Sequence, residues 1–313
     1  MRILKMSLFY KRQKFIQYSR PISKSVVALF SFFLLASFII GEPAGAKVLN
    51  SVKPATISSS ANVTNQSQKD LAISAQLSRS RSLVDFKDGS RSDSTEFSVR
   101  STYKTFSGKI FLTLGAAQDM NDSEAIENGL TDSVVGFSFK PMTWKTSSIE
   151  SRLGFTMSAV IPTSNTSKRQ TLLKSAISST MNGGIKTEAS SYGEFDISGT
   201  ITAGRSFHDY EDDVNGSALS QYSSNQNLTL GYSISEFSLS FEFWNRSRWT
   251  YQNEVRQSFV MSQEMGYQIN SSFAVAAGHT NEGSVLKANG QEYNIDLYND
   301  DTSTIYGSLS FSY

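Results

Sequence analysis

Histidine is the scarcest side chain with acid–base chemistry in this chain: His208 and His279 are the only two in 313 residues, and there is no cysteine. A thiol nucleophile, cysteine-ligated zinc and a disulfide framework are thereby excluded. An imidazole base needs a nucleophile within reach and a third group to orient it. His279 is followed by Thr280 and Asn281, and His208 by Asp209 and Tyr210, so neither has a serine one or two residues after it. Phosphate cradles and zinc-protease helix motifs do not occur. The expectation is a protein that is not an enzyme and takes no cofactor.

Carboxylates are plentiful and grouped. Asp119, Asp122, Glu124, Glu127 and Asp132 form one acidic stretch, Asp209, Glu211, Asp212 and Asp213 another beside His208, and Asp296, Asp300 and Asp301 a third. Within the second, Glu211, Asp213 and Asn215 precede Gly216 at a spacing of two, like the opening of a calcium loop. The twelfth position, where a chelating glutamate belongs, is Tyr222. These three residues are a candidate loop cation site to which no particular metal is assigned. A solvated loop is the plain alternative, and divalent cations bridging the acidic stretches to an anionic partner the sharper one.

The elements that must position these charges follow a period of two. Ile305, Gly307, Leu309, Phe311 and Tyr313 alternate with Tyr306, Ser308, Ser310 and Ser312, which puts the two sets on opposite faces of a strand. This ending resembles the C-terminal strand of bacterial outer-membrane β-barrel proteins. The same alternation begins at Leu71 and recurs through paired segments. Short turns are expected near Ser107, Pro141, Tyr192, Ser235 and Asn270, with longer, more charged connections between them. The resemblance implies an all-β, transmembrane, antiparallel up-and-down β-barrel of about twelve strands. Ten or fourteen stay open, because the stretch from Thr171 to Gly193 divides in more than one way.

On that fold the polar phase faces the lumen and carries Glu96, Arg100, Lys104, Lys109, Glu150, Arg152, Lys174, Asp196, Glu242, Arg256 and Glu264. Charges of both signs inside a barrel set a field for solutes, or pair with one another and plug it. Trp244, Trp249 and Tyr251 are expected at the outer membrane interface, with Trp144, Tyr267 and Tyr313 at the inner one.

Residues 1–25 hold seven basic side chains and no acid, residues 26–40 are apolar apart from two serines, and Ala44-Gly45-Ala46 offers a cleavage site. A signal peptide over 1–46, a flexible periplasmic segment over 47–69 and a single barrel over 70–313 are expected. Removing the leader takes seven basic residues and Glu42, leaving 22 basic and 27 acidic ones, a formal −5 against +1 for the whole chain. No nucleic-acid partner is implied.

The outer-membrane phospholipase family is similar in its barrel, but its pattern places a serine two residues after the histidine, where Asn281 stands here. Omptin-type proteases use an Asp-x-His pair, which His208-Asp209 reverses and shortens. The reading is therefore a channel in the bacterial outer membrane for diffusion of small polar solutes. A rim-active hydrolase and a closed structural or adhesive barrel acting through its acidic loops are the alternatives. Expected partners are outer-membrane lipid and lipopolysaccharide, the barrel-assembly machinery and the solutes, with the oligomeric state open.

Overall fold

The computed structural model describes residues 70–83, 92–120, 129–287, 289–300 and 302–313. The expected leader and the 47–69 segment lie outside these residues, as do Asp122, Glu124, Glu127 and Asp301. Fourteen strands follow in chain order: β1 (Leu71–Ser82), β2 (Asp93–Lys104), β3 (Gly108–Asp119), β4 (Gly129–Leu130), β5 (Ser133–Phe139), β6 (Met142–Thr146), β7 (Ile149–Ile161), β8 (Leu173–Thr187), β9 (Glu194–His208), β10 (Ser220–Ile234), β11 (Phe237–Thr250), β12 (Val255–Gln268), β13 (Phe273–Ser284) and β14 (Ser303–Ser312). β4 is a two-residue addition beside β3, and β5 and β6 both pair with β7 as two halves of one stave. Twelve staves remain. All pairings are antiparallel, and β1 pairs with β14 from Ser74↔Ser312 to Ser82↔Thr304, so the sheet closes into a barrel. Closure leaves no open edge to be satisfied by another chain.

The stretch from Thr171 to Gly193 resolves into one strand, β8, and a turn before β9. The turn expected at Pro141 is displaced. Ser138 pairs with Thr156 and Met142 with Leu153, so three residues, Phe139 to Pro141, stand opposite two, Gly154 and Phe155. Proline lacks the N–H the ladder needs, so the strand bulges there and resumes; the reversal comes at Ser147-Ser148, after Thr146 has paired with Ile149.

Short connections at one end of the barrel alternate with mostly longer ones at the other. At the long end, Asp132 ties two loops together. Its Oδ1 accepts from the Thr163 and Ser164 amides at 3.1 and 3.0 Å, and Ser167 Oγ donates to Oδ2. Burial alone would raise this carboxyl; the hydrogen bonds from Ser167, Ser164 and Thr163 outweigh it and hold the group below the ordinary carboxylate range. A depressed folded-state pKa contributes stability above the unfolded value, and that contribution is lost as pH falls through the folded value. The tether is thus complete at pH 7 and released only in acid. Asp132→Asn should speed amide exchange at Thr163 and Ser164 by about tenfold at pH 7, the weight of one charge-assisted hydrogen bond. The two proteins should converge on acidification; equal exchange at pH 7 would refute the tether.

Candidate functional site in the barrel interior

Register decides which side chains point inward. The outward phase is apolar and exposed: Leu77, Phe97, Leu112, Ile177, Leu228, Leu239, Val275 and Leu309 are each more than a third accessible. At the short-turn end this face carries cross-strand ring pairs: Phe139–Phe155, Phe195–Tyr232, Phe237–Tyr267 and Phe273–Phe311, with centroids 4.7 to 5.6 Å apart. Above Tyr232 the turn is shaped by Gly193 at φ 93°, where a Cβ would lie 2.5 Å from the Ser233 carbonyl oxygen and 2.8 Å from the Tyr232 ring. An apolar belt bounded by an aromatic girdle on a closed barrel is stable only with lipid around it. The chain is a transmembrane β-barrel.

Small hydroxylated side chains are the commonest kind on the inward phase. They form rungs across the wall: Ser80–Ser94 at 2.9 Å, Ser138–Thr156 at 2.9 Å, Ser158–Ser178 at 2.8 Å and Thr180–Thr202 at 2.9 Å. Gly154, Gly184, Gly204 and Gly278 continue the same face. Such residues satisfy each other along the wall without reaching the axis. Thr280 Oγ1, Ser308 Oγ and Asn227 Nδ2 are buried on this face and have no hydrogen-bond partner among the described residues. Groups of that kind call for water rather than a packed apolar core.

Ten of the eleven sequence-derived lumen candidates lie on this inward phase: Glu96, Arg100, Lys104, Lys109, Glu150, Arg152, Asp196, Glu242, Arg256 and Glu264. Lys174 differs. It falls in the register shift between Leu173 and Ser175, and at the rim its Nζ lies 2.6 Å from Asp209 Oδ1. Near the short-turn end, opposite charges pair: Lys145–Glu150 at 3.0 Å, Arg152–Asp196 at 3.3 Å and Lys186–Glu194 at 2.7 Å. The Arg100 guanidinium lies 3.9 Å over the buried Phe111 ring.

Further up, the buried Glu242 accepts from Trp244 Nε1 at 3.2 Å and the buried Glu264 from Tyr306 Oη at 2.9 Å. Trp244 therefore points into the barrel, because it shares the phase of Glu242, and is not part of the outer aromatic belt. Towards the long-loop end the phase turns basic. Arg248 stands opposite Arg256 across the ladder, with Arg246 two residues below it. Arg256 donates to the Ala218 carbonyl at 3.1 Å and lies 3.5 Å from Glu254. Arg246 and Arg248 make no direct ion pair among the described residues, although the charge of Glu282 reaches both. Lys145, Lys186, Glu194, Arg246, Arg248 and Glu282 were missing from the sequence candidates; parity along one strand gives Arg246 and Arg248 from Glu242, Lys186 from Lys174 and Glu194 from Asp196, whereas Lys145 and Glu282 lie on strands that held no candidate.

The other candidates lie elsewhere. The His208 amide and Nδ1 each approach Tyr251 Oη at 3.3 Å, while His279 Nδ1 is 3.2 Å from Gln263 Oε1 on the outward phase and its ring stacks on Tyr298. In the candidate cation loop, Asp213 Oδ1 accepts from the Asn215 and Ser217 amides at 2.8 Å each, stabilising its own turn. Among the described residues no group of three or more histidine and carboxylate side chains converges as a metal site would require.

No protein-family model and no curated protein matches the chain. Among solved structures it resembles outer-membrane barrels. The NanC porin is 11% identical, with 76% of this chain and 98% of that one covered at a TM-score of 0.42. The KdgM porin in complex with disordered oligogalacturonate is 7% identical, with 77% and 99% covered at 0.40. The outer-membrane protein OmpT of Vibrio cholerae is 8% identical, with 85% and 100% covered at 0.36. These are likenesses of fold. The outer-membrane location follows from the barrel's own closure and belt.

Proposed function

We propose that this barrel is an outer-membrane channel through which small polar solutes diffuse, with a signal peptide over 1–46 and a periplasmic segment over 47–69 preceding it. The observation that carries the reading is the inward phase: small hydroxyl rungs along the wall, with charge confined to particular levels. Twelve strands fall between barrels filled by side chains and wide open porins, so residue size decides how much bore is left. Serine, threonine and glycine leave the most.

The charge levels add a preference. Ion pairs at the short-turn end cancel locally, whereas Arg246, Arg248 and Arg256 gather positive charge at the long-loop end, the side from which external solutes enter. A basic patch on a low-dielectric wall raises the local concentration of the opposite ion. The channel should therefore favour small anions. Reversal potentials under a salt gradient test this: the joint Arg246→Gln, Arg248→Gln variant should bring the anion-to-cation permeability ratio down towards unity with the conductance retained. An unchanged ratio would remove these arginines from the permeation path.

A further inference from the structure

The lipid-facing wall is not uniform. Across β7, β8 and β9 two outward rows run side by side: Met157, Ser179 and Ala203 in one, Ala159, Ile177 and Arg205 in the next. Met157 and Ile177 stand about half exposed as ridges. Ala159, Ser179 and Ala203 are too small to fill the space between them. A groove of about 700 Å³ with an overwhelmingly apolar lining results, reaching β3 at its lower end and Arg205 at its upper one. Across five staves spaced about 4.8 Å apart it is roughly 19 Å long, and it runs obliquely because barrel strands tilt.

A cation closes the groove at the long-loop end. Arg205 is exposed on the outward face, with its guanidinium 5.0 Å from the Phe207 ring and 5.4 Å from the Tyr222 ring. No acidic side chain pairs with it among the described residues. Lys168 and Arg169, both exposed, lie in the loop that joins β7 to β8, the third and fourth of the five strands of the groove. An apolar trough ending in basic side chains at interface level matches one kind of molecule, an acyl chain carrying a phosphate. Aromatic rings beside the arginine hold it at that level, where cation–π contact replaces part of its hydration.

We propose that this groove binds an acylated, phosphorylated glycolipid of the outer leaflet, that is, lipopolysaccharide, with one chain in the trough and a phosphate on Arg205. The site rests on the membrane placement and not on the channel reading. The cations lie at the long-loop end, which faces the outer leaflet. A second copy of the chain is the poorer occupant, because a two-fold contact would set the same cations against themselves.

Native mass spectrometry of the refolded protein in micelles holding equal amounts of lipopolysaccharide and phosphatidylglycerol tests the site. Wild type, Arg205→Gln and Ser179→Leu are compared, each first shown to be folded by heat-modifiable gel migration. Wild type should retain lipopolysaccharide selectively. Arg205→Gln should retain about fivefold less, the weight of one basic residue at an anionic lipid surface, and Ser179→Leu should lose retention by filling the floor. Equal retention by all three proteins, equal retention of phosphatidylglycerol, no retained lipid on wild type, or a wild-type dimer in place of the lipid would overturn the site. A chain that fails to fold in any lipid would overturn the membrane placement itself.

Discussion

Leu228→Arg should destabilise the folded barrel by about 2–4 kcal/mol, the cost of an arginine on the lipid face near the bilayer midplane, while Thr229→Arg, one residue along, should leave stability nearly unchanged. Leu228 lies in the middle of β10 on the outward phase, 39% exposed, between Gly199 of β9 and Phe243 of β11. Among the described residues no acid shares that face at its level. An arginine there must snorkel over half the belt or draw water into hydrocarbon. Thr229 points the other way, opposite Glu242 and Ser198, where a guanidinium meets water and a carboxylate. Reversible urea unfolding in lipid vesicles, followed by tryptophan emission, measures both. Comparable losses for the two variants would mean that both faces of β10 are packed in protein, as in a soluble sandwich.

Deleting Phe311, Ser312 and Tyr313 should abolish the heat-modifiable folded form, while Tyr313→Phe should keep it. The three residues seal the seam at the short-turn end. Ile73 N donates to the Tyr313 carbonyl at 3.0 Å, Tyr313 N to the Ile73 carbonyl at 2.8 Å, and Ser312 N to the Ser272 carbonyl at 2.9 Å. Phe311 stands opposite both Ala75 and Phe273, its ring 5.0 Å from that of Phe273. Without them β1 and β13 present unpaired backbone donors and acceptors at the inner edge of the lipid belt, and the seam between the first and last strands is shortened. Tyr313→Phe keeps both backbone pairs with Ile73 and an aromatic ring at that level. Normal amounts of folded protein from the truncated chain would contradict closure through β1 and β14.

The barrel was legible because lipid and water impose opposite demands on alternate residues, and the chain obeys them from Leu71 to Phe311. The reversal after β6 was misread because proline punctuates a strand in the same way whether the chain turns or only bulges, and the pairing of Met142 with Leu153 is a long-range fact. Lys174 kept the right parity but sits in a register shift, which no local pattern announces. Trp244 was assigned to the outer belt by residue type, although its phase puts it beside Glu242. Arg246 and Arg248 have the same phase and became meaningful only when β12 set Arg256 beside them. The lipid-facing groove was the least legible feature, since it exists only where small residues of three strands fall into line.

The channel itself is tested most directly by planar-bilayer recording of the refolded wild-type protein. Discrete, reproducible conductance steps on insertion are expected, with reversal potentials on the anion side. A barrel that inserts, as judged by its heat-modifiable migration, and never conducts would contradict it, and would mean that the inward charges close the bore.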